Sequence, residues 1–239
     1  MTPPPPLPLP LRGCLLSGGA SRRMGRDKAL LPHPEGDTWL ERQLRLLAAL
    51  GAPVTLLSGW PAHHERAAAL GTPLPSRGVP LELLPEPLVS PDRPGGGKPA
   101  GPLVALARLM EAHPEEHLLL CPIDRPALTL HSLRALVAAS SAEPAAIWIA
   151  APDQPGVPPQ PLVGLYPSDA NRRRCLGEAL ARGERGLQRW LAGERTRLVT
   201  LPASDLANVN TPEEFRAWRD DAANLRGCGG RSAPTPLDR

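Results

Sequence analysis

The chain has 239 residues, 41% of them hydrophobic, and a formal net charge of +3. That length buries a real core and admits one large α/β domain or two small ones. The charge is too mild, and too free of Lys/Arg blocks interleaved with aromatics, to suggest a nucleic-acid partner, and no apolar run reaches transmembrane length, so no membrane contact is expected.

Residues 1–10 are almost entirely Pro and Leu. They lack a charged n-region and a continuous apolar h-region, so they do not read as a secretory signal but as a disordered, PPII-like lead. Cys14-Leu15-Leu16 then predicts a buried strand. It stops at Ser17-Gly18-Gly19, and the next glycine is Gly25; between and after them come Ser21, Arg22, Arg23, Arg26, Asp27 and Lys28. Glycines let the backbone approach a ligand closely. Such a loop presents N–H groups in a concave arrangement that favours anions, and its cations neutralise phosphates. The stretch therefore reads as a polyphosphate cradle at the end of the first strand. It is neither a Walker A loop, because Gly25 is followed by Arg26-Asp27, nor a Gly-x-Gly-x-x-Gly dinucleotide loop.

Thr38-Trp39-Leu40-Glu41 has the form of a capping box. Leu40, Leu44, Leu47 and Leu50 continue at helical spacing to Gly51. Strands are predicted at 53–58 and 80–84, with a short helix at 62–70 between them. Residues 85–102 form a Pro/Gly-rich loop containing Gly95-Gly96-Gly97-Lys98, which reads as a flexible surface loop. A helix over 102–113 turns Leu103, Leu106, Ala107 and Met110 inward. His117 to Cys121 is the clearest buried strand, and it runs into Pro122-Ile123-Asp124-Arg125-Pro126. An acid just beyond a parallel strand's C-terminal end sits where α/β sheets bind ligands. There Asp124 either holds Mg²⁺ or caps the turn before the next helix. That helix spans 129–140, with Leu130, Leu133, Leu136 and Val137 inward. Strands at 145–150 and 162–166 follow, then a helix capped by Ser168 and running to about Arg182. A short helix at 186–191 and a strand at 195–201 come next. Thr211-Pro212-Glu213-Glu214 predicts a final helix start. Asn208 and Asn210 on the turn before it either bond a ligand or satisfy backbone groups.

Cys14, Cys121, Cys175 and Cys228 are widely spaced, with no Cys-x-x-Cys pair, so zinc is not expected. Cys14 and Cys121 read as small core residues, and reduced thiols fit a cytoplasmic protein. His63-His64 reads as a surface pair, and no Ser/His/Asp set stands out.

The run Leu16 to Lys28 resembles the signature of the MobA-like nucleotidyltransferases, within them the molybdenum cofactor guanylyltransferases. Gly101-Pro102-Leu103, Cys121 to Pro126 and Asn208 to Glu214 follow in the family's order, so the resemblance covers about residues 12 to 219. It implies an α/β, three-layer Rossmann-like nucleotidyltransferase fold with a mostly parallel central sheet. One domain is expected over 11–225, followed by a disordered tail at 226–239. The resemblance also implies GTP as donor, the molybdenum cofactor as acceptor and Mg²⁺ as cofactor, with molybdoenzymes or their chaperones as recipients of the product and a monomer as the working form. By similarity, Leu16, Ser17, Gly18, Gly19, Lys28 and Asp124 are nucleotide-binding positions. Asp124 is also the metal position, and Asn208 and Asn210 belong to the acceptor side. Arg23, Lys28 and Asp124 are the expected catalytic groups. Two positions depart from the family pattern: Leu57-Ser58 stands where an Asn is usual, and Glu86-Pro87 where an Asp is usual. A related cytidylyl or sugar-phosphate nucleotidyltransferase, or a non-catalytic carrier of cofactor or nucleotide, is the alternative.

Overall fold

The computed structural model describes residues 10–19, 23–34, 37–71, 74, 78–86, 88–89 and 98–228; the glycine tract at 95–97, Ser21, Arg22 and most of both Pro-rich ends lie outside them. In chain order the elements are β1 (Leu11–Leu16), a 3₁₀ turn (Lys28–Leu30), α1 (Trp39–Ala48), β2 (Val54–Ser58), α2 (Pro61–Ala68), β3 (Leu81–Pro85), β4 (Leu88–Val89), β5 (Lys98–Pro99) and α3 (Pro102–Ala112). They continue with β6 (His117–Pro122), α4 (Leu130–Ser140), β7 (Ile147–Pro152), β8 (Gln160–Pro167), α5 (Ala170–Ala181), α6 (Leu187–Leu191), β9 (Thr196–Leu201) and α7 (Pro212–Cys228).

Seven strands form one sheet in the order β3-β2-β1-β6-β8-β7-β9, and β4 pairs with β5 separately. All neighbours in the large sheet are parallel except β8, which runs antiparallel to both β6 and β7. The sheet is therefore mostly parallel and is covered on both faces. Leu15 and Leu119 pack with α1 and α4 on one side, while Cys14, Leu118 and Leu120 pack with α3, α5 and α6 on the other. This is the period-two alternation of a strand buried on both faces. Full burial of a leucine such as Leu15 contributes roughly 1.5–3 kcal/mol.

The register decides where the loops emerge. Leu16 faces Leu57 on one side and Pro122 on the other, and Ser58 faces Pro85. Four parallel strands thus end at one edge of the sheet. The glycine loop, Asp124, Ser58 and Glu86 all leave from that edge. Because β8 runs the other way, its first residues, near Gln160, start there too.

Local signals act as expected at α1. The Thr38 hydroxyl accepts from the Glu41 N–H, and the Glu41 carboxylate accepts from the Thr38 N–H, which completes the capping box. Two expectations are corrected. Asp169, not Ser168, caps α5, its side chain accepting from the Arg172 N–H; the buried Ser168 hydroxyl instead donates to the Met110 carbonyl at 3.1 Å. On α4, Leu130 is only half-buried, and Ser132 and Ser140 take inward positions. At the C-terminal side α7 runs from Pro212 to Cys228.

Candidate functional site

The loop after β1 begins with Ser17, whose N–H donates to the Leu57 carbonyl at 3.0 Å. Its other end is Asp27, which N-caps the 3₁₀ turn of Lys28–Leu30 by accepting from the Ala29 N–H. Gly25 takes φ 64°, a left-handed conformation that suits glycine. Between loop and sheet edge lies a cleft of about 270 Å³, lined by Leu16, Gly18, Gly19, Lys28, Glu86 and Asp124 among others. A second cleft of about 420 Å³ adjoins it and shares Pro102, Pro122, Asp124 and Leu162; its remaining wall includes Arg125, Gln160, Gln188 and Asn208. Asp124 therefore stands where the two clefts meet.

Of the residues singled out in the sequence, Leu16, Gly18, Gly19, Lys28 and Asp124 line the first cleft, and Asn208 lines the second. Asn210 lies between the two groups: its side-chain oxygen accepts from the Lys28 ammonium. The Asn208–Asn210 turn is also tied to the acid, because the Val209 N–H donates to the Asp124 carbonyl at 3.1 Å. Arg23 is exposed. Ser17 is 1% exposed, and its hydroxyl points away from the cleft toward His63.

Lys28 is half-buried, and that burial pushes its ammonium below the usual lysine range; the Asp124 charge pulls it up, and Arg23 pushes it down again. Glu86 is pushed up to about 7 by burial. Its Oε2 is buried and has no hydrogen-bond partner among the described residues. A Cβ added at Gly18 would overlap the Glu86 carboxyl, so glycine there lets the acid lie against the loop. Arg125 acts as a strut behind Asp124, donating to the Leu206 carbonyl and to the Gln160 side chain.

The donor set suits a hard divalent cation. The Asp124 side chain is 31% exposed, and its Oδ1 lies 4.0 Å from Arg125 Nε. Among the described residues no group of three or more His, Cys, Asp or Glu gathers into a closed cage. The partly exposed Asp124 carboxylate, with the remaining ligands left to phosphate oxygens and water, fits the way Mg²⁺ is bound in phosphoryl-transfer sites.

The reading of His63 as a surface residue is overturned. It is 1% exposed. Its Nδ1 lies 3.0 Å from Ser17 Oγ and 2.8 Å from Ser58 Oγ, and its Nε2 lies 2.8 Å from Asp27 Oδ2. A Ser/His/Asp set is thus present after all. The sequence carries no short-range sign of it, because the three residues come from the start of the loop after β1, its far end and α2. A nucleophilic role does not fit, since the Ser17 hydroxyl is sealed from any outside substrate.

A family model described as the MobA-like NTP transferase domain matches residues 13–200. A probable molybdenum cofactor guanylyltransferase of Rhodopirellula baltica is 34% identical over 215 residues, covering 87% of this chain and 91% of that protein. One from Nostoc sp. is 30% identical over 219 residues, covering 90% of this chain and 93% of that protein. Among solved structures, molybdopterin-guanine dinucleotide biosynthesis protein A of Archaeoglobus fulgidus superposes with a TM-score of 0.65 at 16% identity, covering 90% of this chain and 100% of that one. At that identity the likeness speaks for the fold.

Proposed function

Because the chain belongs to the MobA-like NTP transferase family, we propose that it transfers GMP from GTP to the molybdenum cofactor, giving the guanine dinucleotide form of the cofactor and pyrophosphate. The observation that carries this reading is the position of Asp124 at the junction of two clefts, with Lys28 on the glycine-loop side and Asn208 on the other. A nucleotide donor in the first cleft and an anionic acceptor in the second would meet at that acid. An oxygen of the acceptor attacks the α-phosphorus, the bond to the β-phosphate breaks, and pyrophosphate leaves. The chain's part is positioning and charge stabilisation, which dominate phosphoryl-transfer catalysis. The glycine loop and Lys28 hold the phosphates, and the Lys28 ammonium offsets charge on the leaving group. Mg²⁺ held by Asp124 supplies further charge neutralisation when bound. The free thiols of Cys14, Cys121 and Cys175 suit a reducing compartment and support the cytoplasm as the place of work.

The test is pyrophosphate release from each of GTP, CTP, ATP and UTP, with and without molybdenum cofactor and Mg²⁺. Release from GTP that requires both cofactor and metal is expected. A preference for CTP would replace the guanylyl reading with a cytidylyl one, and nucleotide binding without pyrophosphate release would leave a carrier.

A further inference from the structure

The Ser17, Ser58, His63 and Asp27 cluster lies beneath the loop rather than in the cleft, and nothing in the reaction just described uses its buried imidazole. Its hydrogen bonds run from the Asp27 carboxylate through the imidazole to two serine hydroxyls. Asp27 is ionised: burial raises its carboxyl, but the hydrogen bond and charge of His63 and the Ala29 N–H outweigh that and lower it. An ionised carboxylate only accepts, so Nε2 of His63 donates to it. On its other side Nδ1 lies 3.0 Å from the Ser17 hydroxyl and 2.8 Å from the Ser58 hydroxyl. The Ser58 hydroxyl donates to the Ser17 carbonyl at 3.0 Å and accepts from the Trp60 N–H at 3.1 Å.

The cluster joins the two ends of the glycine loop. Ser17 is its first residue and Asp27 its last. The imidazole between them is carried by α2, an element outside the loop. The clamp reaches Lys28 through one more bond, because the other Asp27 oxygen accepts from the Ala29 N–H at 3.0 Å and so sets the turn that presents Lys28. A flexible loop loses entropy when its ends are fixed. Fixing them in the folded protein removes that cost from ligand binding.

We propose that His63 is a positioning residue for the nucleotide: anchored in α2, it clamps Ser17 to Asp27, so that Gly18 and Gly19 beside the one and Lys28 beside the other are held ready for a triphosphate. The proposal rests on the reading that this loop binds GTP.

The test uses the full chain with His63→Ala, His63→Gln, Asp27→Asn and the His63→Ala/Asp27→Asn pair. The readouts are calorimetric binding of GTP with Mg²⁺, pyrophosphate release in the presence of molybdenum cofactor, and thermal melting. His63→Ala is expected to raise the GTP Kd and KM about tenfold, the scale of one charge-assisted hydrogen bond, with a smaller change in kcat. Glutamine keeps an N–H within reach of Asp27 and is expected to restore most of that binding. In the paired variant Asp27→Asn adds little, because its partner is already gone. Wild-type GTP binding in both His63 variants, with only the melting temperature lowered, overturns the proposal, as does full additivity of the pair. Should His63→Ala fail to fold, Asp27→Asn decides the matter: a raised GTP Kd is expected, and wild-type GTP binding in that variant overturns the proposal. A wild-type chain that binds no GTP overturns the functional reading instead, and the variants are then read with whichever nucleotide it does bind.

Discussion

Asp124 is the residue on which the two clefts depend, and its side chain is not needed to build them. Its backbone carbonyl, not its carboxylate, accepts from Val209, and its side chain is partly exposed. Asp124→Ala should therefore abolish pyrophosphate release while leaving the melting temperature close to wild type; wild-type-like turnover in that variant would remove the acid from the mechanism. Glu86 makes a different prediction. Its carboxyl is pushed up to about 7 in the folded chain by burial, against roughly 4.3 in an unfolded one. The folded state thus holds this proton more tightly. The stability tied to it is full below the unfolded value and is lost as pH rises through the folded one. Wild type should melt progressively lower than Glu86→Gln as pH is raised from about 5 to about 8. Parallel melting curves across that range would show that Glu86 is ionised throughout.

At the scale of elements, what the sequence reveals depends on how far a signal must reach. The capping box at α1 needs only residues three apart, and it forms as written. Thr38→Ala removes the side-chain half of it and should cost about 1 kcal/mol of stability, measured by chemical denaturation. Buried parallel strands such as β6 are equally legible, because a run of apolar residues needs no partner to be recognised. The insertion of β8 between β6 and β7 is not, since strand order and direction are set by pairings between distant segments. The cap of α5 shows the same limit at short range. Ser168 and Asp169 are adjacent and both capable of capping, and only the distant Met110 carbonyl decides which one faces inward. The candidate site divides likewise. The glycine loop and Asp124 are visible as motifs, whereas His63 is defined only by three partners on other elements.

Across the whole molecule, the bond between Lys28 and Asn210 ties the start of the chain to its last quarter. Lys28 also lines the first cleft. Lys28→Ala should therefore disturb both substrates. GTP use should weaken by roughly 1.5–3 kcal/mol, the range for a hydrogen bond to a charged group. The KM for the molybdenum cofactor should rise as well, because Asn210 loses the ammonium that orients it. Steady-state kinetics with each substrate varied in turn would show a change confined to GTP if the tether did not matter.

The wall shared by the two clefts has a consequence for how such a protein can diversify. Every residue lining the first cleft except Leu162 precedes Arg125. Every described residue lining the second, apart from Pro102, Pro122 and Asp124, comes from Arg125 onward. Inheritance can therefore act on the two ends of the chain separately. With the donor in the first cleft and the acceptor in the second, as proposed, changes in the later half would retune which molecule is modified while leaving most of the donor's lining as it is, and a genetic crossover just after Asp124 would hand that lining on nearly whole.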